Sequence, residues 1–489
     1  MSAPTHASGE SFAELSRDAL NNPTLQRALS NATGQATRAR NAAVAEGGEA
    51  RWQRLRERAR EIKEHTVNHL EHYLREFAAR VEARGGRVHW AATAEDASRH
   101  VVEIARRAGA TSVVKSKSMM TEEVGLNAAL AAAGIEPVET DLGEYIVQLA
   151  GERPSHINMP AIHKTREDVA DLFADRLRVE RPRDIPEMAA LARRMLRERF
   201  ASARVGVTGV NYAVAETGTV VLVENEGNIR LTTSLPRVHV ALMGIEKVVP
   251  TLADVDVFLR LLSRSASGQK LCSYVSFLTG PRRAPDEEGP EEFHVVLIDN
   301  GRVSMLADPH LRESLYCIRC GACLNVCPVY QKIGGHAYGW VYPGPIGAVL
   351  TPQMIGRARA ADLPFASSLC GACREACPVK IDIPSMLLRL RHEVKEGPAE
   401  APGEHAGRRR GDAAERTLIR LWSWTMRSPR RYARASRLLR FLQNLFGRKG
   451  AGGRRALPVP GWDAARAVPP LAARSFRETW RERHGKGDD

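Results

Sequence analysis

The sequence predicts an α/β domain, then a cysteine-rich helical module, then a basic helical tail. Three observations carry this. Short β-rich runs alternate with helical stretches between Val88 and Asp299. Seven of the eight cysteines fall within the 61 residues from Cys317 to Cys377, and the positive charge is confined to the C-terminus. At 489 residues the chain exceeds what one compact core usually holds, and 43% apolar with 26% charged residues is an ordinary globular balance.

Residues 1–50 are polar and Ala-rich, and read as a short helix with mobile chain. One long amphipathic helix follows, with Trp52, Leu55, Ala59, Ile62, Thr66, Leu70, Tyr73, Phe77 and Val81 at helical spacing and a stop at Gly85-Gly86. Then come Val88–Ala92 (strand), Ala94–Ala108 (helix), Thr111–Val114 (strand), Thr121–Ala133 (helix) and Pro137–Thr140 (strand). Alternation of this kind builds a mostly parallel sheet covered on both faces. Residues 167–200 read as helical, and Arg204–Glu224, Arg237–Pro250 and His294–Asp299 as β-rich. The expected organisation is an N-terminal segment at 1–50, an α/β domain at 51–300, a cysteine-bearing domain at 308–396, a linker at 397–411 and a basic helical domain at 412–489.

The net charge is +14, yet residues 1–407 hold 50 basic and 50 acidic side chains; residues 408–489 hold 21 and 7. A neutral body without a recognised binding fold argues against nucleic acid as a partner. The tail interleaves Arg with Trp422, Trp424, Leu438, Leu439, Phe441, Leu442, Leu445 and Phe446, a composition suited to an acidic partner protein or an anionic membrane surface. No stretch approaches 18 apolar residues and no secretory signal is visible, so a cytoplasmic location with reduced cysteines is expected.

The first cysteine run is Cys317-x2-Cys320-x2-Cys323-x3-Cys327-Pro328, the bacterial ferredoxin spacing for a [4Fe–4S] cluster. Three thiols two residues apart on a tight loop reach three irons of one cubane; the fourth, followed by proline, points to a second cluster. The second run, Cys370-x2-Cys373-x3-Cys377-Pro378, has Ser367 where a first cysteine would stand. Crossed pairing assigns Cys317, Cys320, Cys323 and Cys377 to one cluster, and Cys327, Cys370 and Cys373 to another. The second then needs Ser367, another side chain, water or a partner group as fourth ligand, or is a [3Fe–4S] cluster. Zinc ribbons use two separated Cys pairs, which suits seven cysteines with two Cys-x3-Cys-Pro endings poorly. Cys272 reads as a buried, apolar-like residue rather than a ligand. Between the runs, Gly334–Gly347 has seven Gly or Pro in fourteen residues. It reads as a rigid loop shielding the clusters, with an electron path along His336, Tyr338 and Trp340 as the alternative.

In the α/β domain, Lys115–Ser118, Glu139–Glu144 and Glu216–Thr219 are small polar clusters at strand ends. They suit either an anionic or hydroxylated ligand or plain helix capping, as at Thr121 with Glu122 and Glu123. Neither a dinucleotide fingerprint nor a P-loop is present.

The stretches VKSKSMMTEEVGLNAAL, ETDLGEYIVQL, PSHINMPAIHK and AETGTVVLVENEGN, with CIRCGACLNVCPVYQKIGGHAYGWVYPGPIGAVLTP and SSLCGACREACPVKIDIP, together resemble the lactate utilization protein B family. The resemblance runs from about residue 10 to 485. It implies an α/β domain related to the CoA-transferase/ribose-isomerase-like folds and a helical ferredoxin domain with two [4Fe–4S] sites. It also implies work with two companion subunits in oxidising L-lactate to pyruvate, this chain carrying the electrons. Some relatives have four cysteines in the second run where this chain has three. The leading expectation is thus an electron-transfer subunit, cytoplasmic or peripheral at the inner membrane face, passing electrons to a partner or a quinone-linked acceptor. The alternatives are a self-contained enzyme binding substrate at the three-cysteine cluster as a Lewis acid, and a scaffold whose clusters only stabilise the fold.

Overall fold

The computed structural model describes residues 11–396, 412–449, 455–457 and 469–485. The chain forms two units, Met1–Ala406 and Gly407–Asp489.

In the first unit six strands make one parallel sheet: β1 (Arg87–Ala91), β2 (Ser112–Lys115), β3 (Glu136–Glu139), β4 (Val205–Gly209), β7 (Val238–Gly244) and β10 (Glu292–Ile298), in the order β1-β10-β7-β4-β2-β3. A second, mixed sheet joins β5 (Tyr212–Val214), β6 (Thr219–Glu224), β8 (Val248–Val249) and β9 (Tyr274–Leu278) in the order β8-β5-β6-β9. The β7 residues Val238–Gly244 are all buried, as a strand covered on both faces must be. Side chains alternate between two cores: Val240 and Leu242 pack with Val101, Ile104 and Leu130, and Ala241 and Met243 with Leu74, Phe77 and Val81. The helix Ala94–Arg107 starts at a capping box in which Thr93 and Asp96 satisfy each other's backbone N–H.

Four expectations are corrected. The long amphipathic helix breaks at His69 into Glu49–Asn68 and Leu70–Ala83. The two halves serve different cores: Trp52, Ala59 and Ile62 face the cysteine-bearing segment, and Leu70, Phe77 and Val81 the main sheet. The helix expected over Thr121–Ala133 is two, Met119–Glu123 and Leu126–Ala132, parted by Gly125 at φ 65. Residues 11–47 are not mobile chain but two capped helices, Phe12–Asn21 and Pro23–Gly47, with Leu29, Thr33, Ala36 and Val44 buried. Residues 1–10 and the expected linker 397–411 lie outside the described residues. Lastly, strand β9 and the helices Asn228–Ser234 and Leu252–Ser267 join the elements read from the sequence.

The cysteine-bearing segment is built of short helices, with Gly344–Met354 and Ile383–Glu396 the longest. Its Leu315, Leu324, Tyr330, Leu350 and Leu387 share one core with Val214, Val221, Val249 and Phe258 of the preceding region.

In the second unit the basic segment is two helices, Asp412–Met426 and Pro429–Phe446, because Pro429 starts a new helix rather than continuing one. A last helix, Phe476–His484, begins at a Ser475–Glu478 capping box. Arg440 grips Glu478 with two hydrogen bonds of 2.8 and 3.0 Å. Trp422, Phe441 and Phe446 are 60%, 63% and 64% exposed. No helix among the described residues is long and apolar enough to cross a membrane.

Candidate metal centre

The two cysteine runs repeat one local conformation. Arg319 (φ 60) and Gly321 (φ 74) bracket Cys320 and open the short helix Ala322–Asn325 that carries Cys323. Leu369 (φ 55) and Gly371 (φ 84) bracket Cys370 and open the helix Ala372–Ala376 that carries Cys373. The positive φ favours glycine at both turns, and at Gly321 a Cβ would also come within 3.0 Å of His156. In this alignment Cys377 matches Cys327, and Ser367 matches Cys317.

The fold then crosses the runs. Cys317, Cys320, Cys323 and Cys377 line one cavity walled by Ile346, Ile381 and Ile383. Cys320, Cys323 and Cys377 are buried. Burial raises the Cys377 thiol to about 11 and, with Cys377 and Cys317 beside it, also raises Cys320. Cys327 and Cys370 lie near enough to Cys373 to act on its thiol. Burial, reinforced by the neighbouring Cys327, pushes Cys373 up to about 12. Cys370 is exposed, and hydrogen bonds from the Ala372 N–H and the Ser368 hydroxyl hold its thiol below the ordinary range. Backbone N–H groups of Arg319, Tyr330 and Ile381 point at the sulfurs of Cys317, Cys327 and Cys377 at 3.4, 3.5 and 3.4 Å. Among the described residues no three His, Cys, Asp or Glu side chains converge as the ligands of a single metal ion would. Cys317, Cys320, Cys323 and Cys377 are spread round a cavity with apolar walls, with N–H donors at the sulfurs of Cys317 and Cys377, a donor set that fits a multi-iron cluster.

Ser367 is half-buried, and its hydroxyl accepts a hydrogen bond from Leu369 N at 3.1 Å. Cys272 stands apart from both groups. It is only partly buried, contrary to expectation, because it flanks a polar cavity with its sulfur 3.0 Å from the Ser263 hydroxyl. In the Gly/Pro-rich loop Tyr338 is fully buried, whereas His336 is tied to the Arg153 carbonyl at 2.7 Å. At Gly335 a Cβ would collide with the Ser155 carbonyl at 1.9 Å.

Several residues that position the runs have no local sequence signal. Arg56 donates to the Cys377 carbonyl at 2.9 Å from 321 residues away. Arg40 donates to Ala376 O at 3.4 Å. Asn158 donates to the Cys320 carbonyl, His156 bonds Asn325 at 3.2 Å, and Tyr330 donates to Ser155 O at 2.6 Å. Burial drives His156 down to about 3, so it is neutral at physiological pH. Beneath the first run lies a buried ion network. Arg302 makes two 2.8 Å bonds to Glu123 and one of 2.5 Å to Glu246, and Tyr342 donates to Glu123 at 2.6 Å.

Residues 74–298 match a family described as LUD domain, 313–381 a 4Fe-4S dicluster domain, and 389–485 Lactate utilisation protein B, C-terminal. The clustered cysteines and the dicluster match mark an iron–sulfur protein. Lactate utilization protein B of Shouchella clausii is 43% identical over 464 residues, 95% of each chain. An uncharacterized electron transport protein of Escherichia coli is 42% identical over 468 residues, 96% of this chain and 95% of its own. A crystal structure of a DUF162 family protein from Deinococcus radiodurans covers 47% of this chain and 98% of its own at 14% identity. The TM-score is 0.27.

Proposed function

We propose that this chain, which belongs to the lactate utilization protein B family, is the iron–sulfur electron-transfer subunit of a system oxidising L-lactate to pyruvate. The observation that carries the reading is the crossing of the runs, with Cys377 on the cavity of Cys317, Cys320 and Cys323. In this reading those four thiols hold one [4Fe–4S] cluster. Cys327, Cys370 and Cys373 hold the second, with a non-cysteine fourth ligand or as [3Fe–4S]. Such clusters supply reversible one-electron storage at a potential set by burial and by hydrogen bonds to sulfur. The N–H donors of Arg319, Tyr330 and Ile381 stabilise negative charge at the thiolates, and Arg40 and Arg56 add cationic charge beside Cys377. Ile346, Ile381 and Ile383 keep water from the first group, while exposed Cys370 leaves the second open to a partner. The relatives' names, in lactate utilization and electron transport, support a role beside companion subunits.

Anoxically purified protein is expected to hold about eight irons and eight acid-labile sulfides per chain. About seven irons would identify the three-cysteine group as [3Fe–4S], and a colourless protein with zinc would end the iron–sulfur reading.

The tail serves docking in this proposal. Truncation after Glu396 is expected to leave the visible spectrum intact, since no cysteine lies beyond Cys377. Pull-down of companion subunits, or flotation with anionic vesicles, is expected to fail for the truncated chain. For the full chain either association weakens in high salt, because exposed charges act over a Debye length of roughly 8 Å at physiological ionic strength. A truncated chain that bleaches during purification would show that the tail completes the cluster domain instead.

A further inference from the structure

Beyond the C-terminal ends of β2, β4 and β7 the first unit encloses a cavity of about 400 Å³. Its walls are the residues that follow those strands: Lys117 and Ser118 after β2, Gly209 to Asn211 at β4, and Gly244, Glu246 and Lys247 at β7. This is where open parallel sheets bind their ligands, and the volume lies in the small-molecule range. Part of the remaining wall is Ile318 and Arg319, inside the first cysteine run. We infer that this cavity is a binding site for a small carboxylate-bearing molecule, with Arg319 and Lys247 as the carboxylate's partners.

The cations are under-paired. Arg319 is 8% exposed, and its Nη1 is buried without a hydrogen-bond partner. Its Nη2 lies 3.5 Å from Glu246 Oε1, and its guanidinium lies over the Tyr342 ring at 4.7 Å. Glu246 is shared, because its other oxygen takes Arg302 Nε at 2.5 Å. Lys247 is half-buried and makes no hydrogen bond or ion pair within 4.0 Å among the described residues, whereas Lys117 donates to the Ile157 carbonyl and belongs to the acidic side, among Glu144, Asp141, Glu226 and Glu122. A buried guanidinium N–H left unmade is costly, so a native site of this kind implies a group that fills it. The acidic residues of the cavity face other duties. Asp141 caps the Glu144 N–H at 3.2 Å, Glu226 accepts from Leu142 N at 3.1 Å, and Glu224 accepts from the N–H groups of Ile229 and Arg230 at 2.7 and 3.0 Å. The cavity therefore has a basic end at the cysteine run and an acidic end away from it. A carboxylate suits the first, and a hydroxyl or other donor on the same molecule suits the second. Ile318 and Arg319 also line the thiol cavity, so a ligand here would sit across one loop from Cys317 and Cys320. The inference stands whether or not the chain relays electrons from lactate, since it concerns binding alone.

The test is anoxic calorimetry on the full chain with its iron retained, using sodium pyruvate and sodium 2-oxoglutarate as probes and pyruvamide as the uncharged control. At least one carboxylate is expected to bind saturably and pyruvamide not at all. Lys247→Met is expected to weaken binding about tenfold or more, as loss of a charge-assisted contact does. Lys117→Met is expected to weaken it less, and both variants should keep the wild-type visible spectrum. Absence of saturable binding by both carboxylates, equal binding of pyruvamide, or unchanged affinity in Lys247→Met would overturn the assignment. So would a Lys247→Met protein that shifts the midpoint reduction potential while no carboxylate binds, because Lys247 and Arg319 would then be partners of the thiolates alone.

Discussion

Replacing Cys377 by alanine is expected to destroy the metal centre lined by Cys317, Cys320 and Cys323, and to spare that of Cys370 and Cys373. Cys327→Ala is expected to do the reverse. Each variant should lose about four irons, or about three where the second centre is [3Fe–4S], and the two should lose different EPR signals. The expectation rests on tertiary structure, because Cys377 is 54 residues beyond Cys323 in the chain yet shares its cavity. Arg56 fixes that geometry through the Cys377 carbonyl, and Ile381 N holds the sulfur at 3.4 Å. Iron analysis combined with EPR of the two variants decides the matter. If each substitution removed only the signal of its own run, the crossed assignment would be wrong.

Arg302→Met is expected to cost about 3–5 kcal/mol, the penalty for leaving buried carboxylates without their cation. Arg302 is fully buried between Glu123 and Glu246, whose side chains are 0% and 1% exposed. Burial alone would raise Glu246, but Arg302, followed by Arg319, Lys247 and Lys63, brings it from an ordinary 4.5 to about 2. A carboxylate depressed in this way contributes stability above its unfolded value and loses that contribution as the pH falls from about 4.5 toward about 2. Without Arg302 the carboxylates protonate more readily, so the gap in denaturation midpoint between wild type and variant should narrow on going from pH 7 to pH 4. Chemical denaturation at the two pH values measures it, and a midpoint unmoved by Arg302→Met at pH 7 would contradict the role given to the network.

Much of the α/β region was legible because Val-rich runs such as Val238–Gly244 are buried on both faces and stay apolar without interruption. The cysteine loops were legible for a local reason: Gly321 and Gly371 encode the turn, and the spacing encodes which thiols leave it. The helix Pro23–Gly47 was missed because its buried stripe, Leu29, Thr33, Ala36 and Val44, holds only two sizeable apolar residues. The break at His69 escaped a periodicity argument, since both halves keep an apolar stripe and only the core they face changes. Arg40, Arg56 and Asn158 were beyond reach for another reason. An arginine on an amphipathic helix looks like solvated charge until the fold sets a carbonyl from another segment against it. The strand-end clusters were half legible. The cap of the helix Met119–Glu123 is Ser118 and not the expected Thr121, which lies inside that helix, while Lys117 beside Ser118 lines the cavity.

The most direct test of an electron-transfer subunit is EPR of the anoxically purified chain during addition of L-lactate, with and without its companion subunits. A relay requires that lactate leave the isolated chain unreduced, that adding the companions produce reduced-cluster signals, and that an electron acceptor discharge them. Pyruvate formed by the isolated chain, or clusters that stay silent when the complete set of subunits turns lactate over, would contradict it.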